Sequence, residues 1–121
     1  VPLVEEGFAK HKITEEAIDF YLSDMKSTQI DTMILGCTHY PLLRSKIMAY
    51  FGEEIHIVNP AYETAMDLKA ALNDCGIANQ SGIPATYEFY VSDAAQKFTK
   101  FANSILPYDV AATKQINIEE Y

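Results

Sequence analysis

The sequence predicts an α/β fold in which helices flank a mostly parallel sheet. Short runs of apolar and β-branched residues alternate along the chain with amphipathic segments of about ten to fifteen residues. Strands that are separated by single helices pair as parallel crossovers. The composition, 49% hydrophobic and 21% charged, is that of an ordinary globular protein. We expect the 121 residues to form one domain or part of a larger one.

The first amphipathic helix is predicted to begin at Thr14. Its hydroxyl can cap the free amides of the first turn, where acidic residues also favour the positive end of the helix dipole. Apolar residues then recur at helical spacing: Ile18, Tyr21, Leu22 and Met25. Residues 31–36 follow as a nearly continuous apolar run, which is typical of a strand buried on both faces of a parallel sheet.

Two more helices and a strand complete the middle of the chain. Pro41 suits the first turn of a helix that ends at Gly52, and residues 55–58 form the next predicted strand. The Asn59-Pro60 pair breaks that strand, and a third helix continues to the stop signal Gly76.

The last third of the chain repeats the alternation after a predicted loop at residues 77–85. Aromatic and branched residues at 87–91 indicate a strand, and Ser92 or Asp93 can cap the helix that follows. A final short strand is predicted at 115–118.

Charge and cysteine content exclude several classes of function. Nine Lys and Arg against 17 Asp and Glu give a net charge of -8, which disfavours a nucleic-acid partner. No apolar run reaches the roughly eighteen residues of a membrane helix, so we expect no membrane partner. Cys37 and Cys75 lack the spacing of a disulfide framework, which favours reduced thiols in the cytoplasm. Because the chain opens on Val1 without a secretory leader, we expect it to derive from a longer protein.

The residues that carry most chemistry follow the predicted strand 31–36. Cys37, Thr38 and His39 lie where the strand gives way to a helix, which is where α/β enzymes bind their ligands. Nearby backbone amides and the positive end of a helix dipole favour a thiolate at Cys37. In extended geometry His39 faces the same side as Cys37 and can assist proton transfer. Thr38 adds a hydroxyl and an amide suited to a carboxylate.

The residues alone leave three chemistries open. A cysteine hydrolase would use Cys37 and His39 as nucleophile and base, with an orienting carboxylate. A zinc site could gather Cys37, His39 and His56, although no Cys-x-x-Cys pair supports it. A proton-transfer enzyme would use the thiol itself as acid and base. Taken singly, a cysteine is more often a small buried hydrophobe and a histidine a hydrogen-bonded structural residue.

Residues 31–43, DTMILGCTHYPLL, closely resemble the second cysteine motif of bacterial glutamate racemases. Residues 1–7, 59–65 and 90–93 resemble further segments of the same family, so nearly the whole chain is covered. The resemblance implies a homo-oligomeric racemase that needs no metal or pyridoxal cofactor and has two similar α/β domains with glutamate between them. Residues 1–76 would form the second half of the substrate-cleft domain, and residues 77–121 a C-terminal segment that returns to the other domain.

The resemblance also implies roles for particular residues. One thiolate would remove the α-proton of glutamate while an opposite thiol protonates the other face, supplying D-glutamate for peptidoglycan. Cys37 would be one of these thiols, Thr38 would bind substrate, and His39 and Glu5 would assist Cys37. The family's first cysteine motif does not occur in the sequence, so the second thiol is expected from the missing N-terminal half of the racemase. Cys75 does not match that motif and is interpreted as structural.

Two alternatives accompany this hypothesis. The chain could be a folded fragment or interaction module without activity, because one thiol is missing. It could also come from a racemase of the same superfamily that acts on aspartate or another amino acid, although residues 40–43 favour glutamate.

Overall fold

Two separate pairs of parallel strands organise residues 1–120, which are the residues that the computed structural model describes. The chain divides into a first unit, Val1–Gln80, and a second unit that begins at Ser81. In each unit a helix connects the two strands of a parallel pair. The predicted α/β class is therefore confirmed. The assignment of the last segment to another domain of a larger enzyme stays a prediction.

The first unit contains four α-helices and one strand pair. In chain order its elements are α1 (Pro2–Glu5), α2 (Lys12–Lys26), β1 (Thr32–Ile34), a 3₁₀ helix (Tyr40–Leu43), α3 (Arg44–Phe51), β2 (His56–Val58) and α4 (Pro60–Asp74). Strand β1 pairs with β2 in parallel, with Thr32 opposite His56 and Ile34 opposite Val58.

The core of the first unit lies where α2 and α3 meet the strand pair. Its buried members are Ile18, Leu35, Ile47, Ile55 and Ile57. At the rim, Tyr50 donates a hydrogen bond to Asp19 and Lys46 donates one to Glu15, so both bonds join α3 to α2. The hydrogen bond from Lys46 holds the pKa of the Glu15 carboxyl below its usual value, and the bond to Asp19 raises the pKa of Tyr50.

The second unit contains β3 (Phe89–Val91), α5 (Ala95–Ile105), β4 (Thr113–Gln115) and a 3₁₀ helix (Ile118–Glu120). Strands β3 and β4 are parallel, with Phe89 opposite Thr113. Ala102 and Val110 are buried, and the rings of Phe89 and Phe98 lie 6.1 Å apart. The Val110 amide donates to the side-chain oxygen of Asn103 at 2.6 Å, which fastens the segment before β4 to α5.

Several predicted details of the helix starts are wrong. Helix α2 begins at Lys12, and His11 caps it by accepting a hydrogen bond from the Ile13 amide. Thr14 is instead buried within the first turn, where its hydroxyl donates to the carbonyl of Phe8 at 2.7 Å. Helix α5 is capped at Ala94, whose backbone is left-handed with φ 50°, and neither Ser92 nor Asp93 takes the cap position.

The strands are shorter and less buried than the sequence predicts. Ile34 is 66% exposed, so β1 is not buried on both faces. The physical reason is that the Ile34 side chain lines an open apolar groove beside α1 and α2, and these helices do not cover it. Strand β4 ends at Gln115. Beyond it, the Ile116 amide still donates to the carbonyl of Val91, and Ile118 begins the 3₁₀ helix.

Other boundaries agree with the sequence. Gly52 ends α3 and Asn59 caps α4 by accepting from the Tyr62 amide. Gly76 follows the end of α4 with φ 67°, the left-handed conformation that glycine adopts most easily. Within the described residues, no helix is both long and apolar enough to cross a membrane.

Thr14→Val should destabilise the first unit by about 1 kcal/mol, because the carbonyl of Phe8 loses the hydroxyl donor that the buried Thr14 supplies. Urea unfolding followed by circular dichroism measures the change. Thr28→Val is the matched control, since the Thr28 hydroxyl also donates to a backbone carbonyl but is exposed to water. We expect it to cost less than about 0.5 kcal/mol. Equal losses for the two variants would show that burial of Thr14 is not the cause.

Candidate active site

Cys37 lies just beyond the carboxyl end of β1. The Leu35 amide donates to the carbonyl of Val58 at 3.0 Å, which extends the strand pairing up to the buried Leu35 side chain. Gly36 then turns the chain, with its amide donating back to the carbonyl of Ile34. The next side chain is Cys37, which is partly buried. The position of β1 in the core therefore determines where the thiol lies.

The 3₁₀ helix begins directly after this turn. The Tyr40 amide donates to the carbonyl of Cys37 at 3.1 Å, and the Leu42 amide donates to that of His39 at 3.2 Å. Pro41 fits here because its fixed φ suits the first turn of a helix and no donor is needed. These bonds hold residues 37–39 in a tight bend rather than in the extended geometry that the sequence predicts.

A continuous set of side-chain contacts runs from Cys37 through His39 to Glu5. The Cys37 Sγ lies 3.9 Å from Nδ1 of His39, and Nε2 of the same ring lies 3.2 Å from Oε1 of Glu5. Thr38 Oγ1 is 3.3 Å from His39 Nδ1. The His39 side chain is 22% exposed and that of Glu5 is 41% exposed, so the contact is open to a small molecule from the surface.

Glu5 reaches His39 because of the packing of α1. This helix is one turn long, and Val4, 4% exposed, anchors it in the first unit. The Phe8 amide donates to the carbonyl of Leu3 at 2.7 Å and closes the turn after the helix. Glu5 and His39 are 34 positions apart in the sequence. No local spacing marks such a pair, and only the family resemblance identified Glu5 before the structure.

The proton arrangement of the pair follows from the chemistry of its groups. An ionised carboxylate only accepts hydrogen bonds, so Nε2 of His39 donates to Glu5. In a neutral imidazole Nδ1 is then the acceptor, and it faces the thiol of Cys37 and the hydroxyl of Thr38. The arrangement can accept a proton from the thiol, return it, and hold the imidazole in one orientation.

The structure thus brings together Cys37, Thr38, His39 and Glu5. The remaining candidates lie elsewhere in the first unit: Cys75 is an exposed free cysteine at the end of α4, and His56 is exposed on β2. Within residues 1–120, no group of three or more His, Cys, Asp or Glu side chains is arranged so that it could hold a metal ion. The zinc alternative, which needed Cys37, His39 and His56 together, therefore has no site in the described structure.

The chain is similar to glutamate racemases over nearly its whole length. It is 37% identical over 121 residues to the glutamate racemase of Thermoanaerobacter pseudethanolicus and 34% identical over 118 residues to that of Syntrophus aciditrophicus. These alignments cover 100% and 98% of this chain but 46% and 44% of the relatives. The chain therefore spans about half the length of the curated relatives that it matches. No protein-family model matches it.

Solved racemase structures agree with the fold. The glutamate racemase of Francisella tularensis, determined in complex with D-glutamate, superposes with a TM-score of 0.84 at 27% identity and covers 99% of this chain and 45% of its own. An isoform from Bacillus anthracis gives a TM-score of 0.86 at 30% identity and covers 97% of this chain and 43% of its own. Both similarities extend over the two units described above.

We expect neutral His39 to carry its proton on Nε2, because the Glu5 carboxylate accepts from that nitrogen. Nitrogen-15 NMR of the imidazole ring distinguishes the two tautomers. Glu5→Ala should shift His39 toward a mixture of the two tautomers, while the signals of the exposed His56 stay unchanged. An unaltered His39 spectrum in Glu5→Ala would contradict the proposed hydrogen bond.

Proposed function

We propose that this chain is the portion of a glutamate racemase that carries one of two proton-transfer thiols. One observation carries the proposal: Cys37 follows a core strand and contacts His39, which contacts Glu5, in a chain similar to glutamate racemases along its length. The structural neighbour that contains D-glutamate supports glutamate as the substrate class.

The proposed reaction inverts the α-carbon without a cofactor. The Cys37 thiolate takes the α-proton from one face of glutamate, and the electron pair of the broken C–H bond stays on the α-carbon and its carboxylate. A thiol on the opposite face then donates a proton to that carbon and becomes a thiolate. The net change is inversion with one proton removed and one added, and the reverse reaction exchanges the roles of the two thiols.

His39, Glu5 and Thr38 support Cys37 in this proposal. Glu5 fixes the imidazole through Nε2, which leaves Nδ1 of His39 facing the thiol to accept or return its proton. His39 thereby assists the change between thiol and thiolate. Thr38 is exposed, and its hydroxyl and amide can bind a substrate carboxylate.

The second thiol is proposed to come from a part of the racemase outside this chain. Cys75 is exposed at the end of α4 and lies apart from the Cys37, His39 and Glu5 contacts. The curated relatives extend over about twice the matched length, which leaves room for a second thiol-bearing portion. The biological role is proposed as supply of D-glutamate for peptidoglycan by a homo-oligomeric enzyme in the cytoplasm, where two free cysteines stay reduced.

Cys37→Ala tests the proposal in the complete racemase that contains this sequence. We expect exchange of the substrate α-hydrogen for solvent deuterium to fall by at least about 100-fold in one direction, because one face of the carbon loses its acid–base group. Proton NMR in deuterium oxide follows the exchange from L- and from D-glutamate. Cys75→Ala is the matched control and should keep full activity. Undiminished racemisation by Cys37→Ala in both directions would refute the assignment.

The chain alone should produce no D-glutamate from L-glutamate, because it holds one of the two required thiols. A chiral chromatographic assay at high protein concentration checks this. Detectable racemisation by the isolated chain would contradict the need for an external thiol. In the complete enzyme, turnover of aspartate in preference to glutamate would favour the alternative substrate within the superfamily.

A further inference from the structure

The turn after α1 holds Glu5 through backbone hydrogen bonds that span it. The Gly7 amide donates to the carbonyl of Val4 at 3.1 Å, and the Phe8 amide donates to that of Leu3 at 2.7 Å. Gly7 is left-handed, with φ 82°. This pair of bonds is the Schellman motif, which ends many helices. Glu5 is the last helical residue inside the motif, so its backbone moves together with that of Phe8.

A buried side chain of α2 holds Phe8 in turn. The Phe8 carbonyl accepts hydrogen bonds from the His11 amide at 2.8 Å and from the Thr14 hydroxyl at 2.7 Å. Thr14 is 1% exposed and is the polar residue among the buried residues of 1–120. Ile18 belongs to the core cluster and lies four positions further along α2, on the same face of the helix as Thr14. The Thr14 hydroxyl therefore connects the turn after α1 to the core of the first unit.

The contact between Glu5 and His39 tolerates little movement. Nε2 of His39 lies 3.2 Å from Oε1 of Glu5, which is at the long end of the range for such hydrogen bonds. A displacement of about 0.4 Å would lengthen this distance to ~3.6 Å, which is beyond a hydrogen bond. The bond from the Thr14 hydroxyl is shorter, at 2.7 Å, and is partly buried where the other is exposed. The more protected bond can therefore limit movement in the exposed one.

We propose that Thr14 is a positioning residue for the acid–base contacts of Cys37. Its hydroxyl fixes the Phe8 carbonyl, and the turn transmits that constraint to Glu5. The Glu5 carboxylate then keeps the proton of neutral His39 on Nε2 and leaves Nδ1 facing the thiol. The inference rests on the proposed function, because it needs His39 to assist the chemistry of Cys37.

Two variants separate a positioning role for Thr14 from a purely structural one. Thr14→Val keeps the shape of the side chain and removes the hydroxyl, whereas Thr14→Ser keeps the hydroxyl and removes a buried methyl group. Both variants should lose stability, because one loses a hydrogen bond and the other loses apolar burial. If Thr14 only stabilised the fold, both variants would keep the wild-type contacts of His39 in their folded states.

Nitrogen-15 NMR of the full chain, at a pH where the ring is neutral, measures the effect on His39. Thr14→Val should shift His39 toward the tautomer mixture of Glu5→Ala, whereas Thr14→Ser should keep the proton on Nε2. In a Glu5→Ala chain, Thr14→Val should add no further shift, because the carboxylate that Thr14 positions is gone. The signals of the exposed His56 should stay unchanged in every variant, and circular dichroism checks each fold.

Thr14→Ala also lacks the hydroxyl and should repeat the result of Thr14→Val. An unaltered His39 spectrum in these two variants would overturn the inference. An equal change in Thr14→Ser would overturn it as well, since the hydroxyl would then not be the cause.

Kinetics of the complete racemase that contains this sequence give a second readout. We expect kcat to fall at least about tenfold in Thr14→Val with KM within about twofold, because acid–base assistance is weakened rather than substrate binding. Thr14→Ser should rescue kcat to within about twofold of wild type. Wild-type kcat in Thr14→Val, in an enzyme that Cys37→Ala inactivates, would overturn the inference. Full activity of Cys37→Ala would instead refute the proposed function, and the NMR result would still decide whether Thr14 positions Glu5.

Discussion

The pairing of β1 with β2 is the constraint on which the rest of the first unit depends. Leu35 and Ile57 are both buried in the core cluster, and the bond from the Leu35 amide to Val58 continues the strand order to the last residue before the turn. Each buried branched side chain of this size contributes on the order of 1.5–3 kcal/mol relative to exposure. That burial determines where the strand ends, and Cys37 takes its position from the end of the strand. The thiol needs no rigid loop of its own, because the core sets its location.

Most features whose cause lies in neighbouring residues could be predicted from the sequence. The strand-to-helix position of Cys37, Thr38 and His39 came from periodicity and from Pro41, and the structure has that order. Helix ends marked by Gly52 and Gly76 were also predictable, because a glycine stop acts through the backbone of its own residue. In each case the physical cause lies within a few residues of the signal.

Features that depend on distant contacts were not predictable. Thr14 has the residue type and the approximate position of a helix cap, but the fold buries it. Its hydroxyl donates a hydrogen bond to the carbonyl of Phe8 instead. Ala94 takes a left-handed cap position that favours glycine or asparagine, so no propensity points to it. The contact of Glu5 with His39 spans 34 positions and came from family resemblance alone. The burial of β1 was overestimated because a run of apolar residues does not indicate whether helices cover both faces of the strand.

The anchoring of α1 has a consequence for how the site moves. Val4 is the buried residue of this helix, with 4% of its surface exposed. Glu5 directly follows Val4, so a fluctuation that releases Val4 also withdraws the Glu5 carboxylate from the imidazole. Local opening of α1 and loss of imidazole orientation are then one event. In the proposed racemase, the assistance that His39 gives to Cys37 would therefore depend on the packing of Val4 as well as on the groups that contact the thiol.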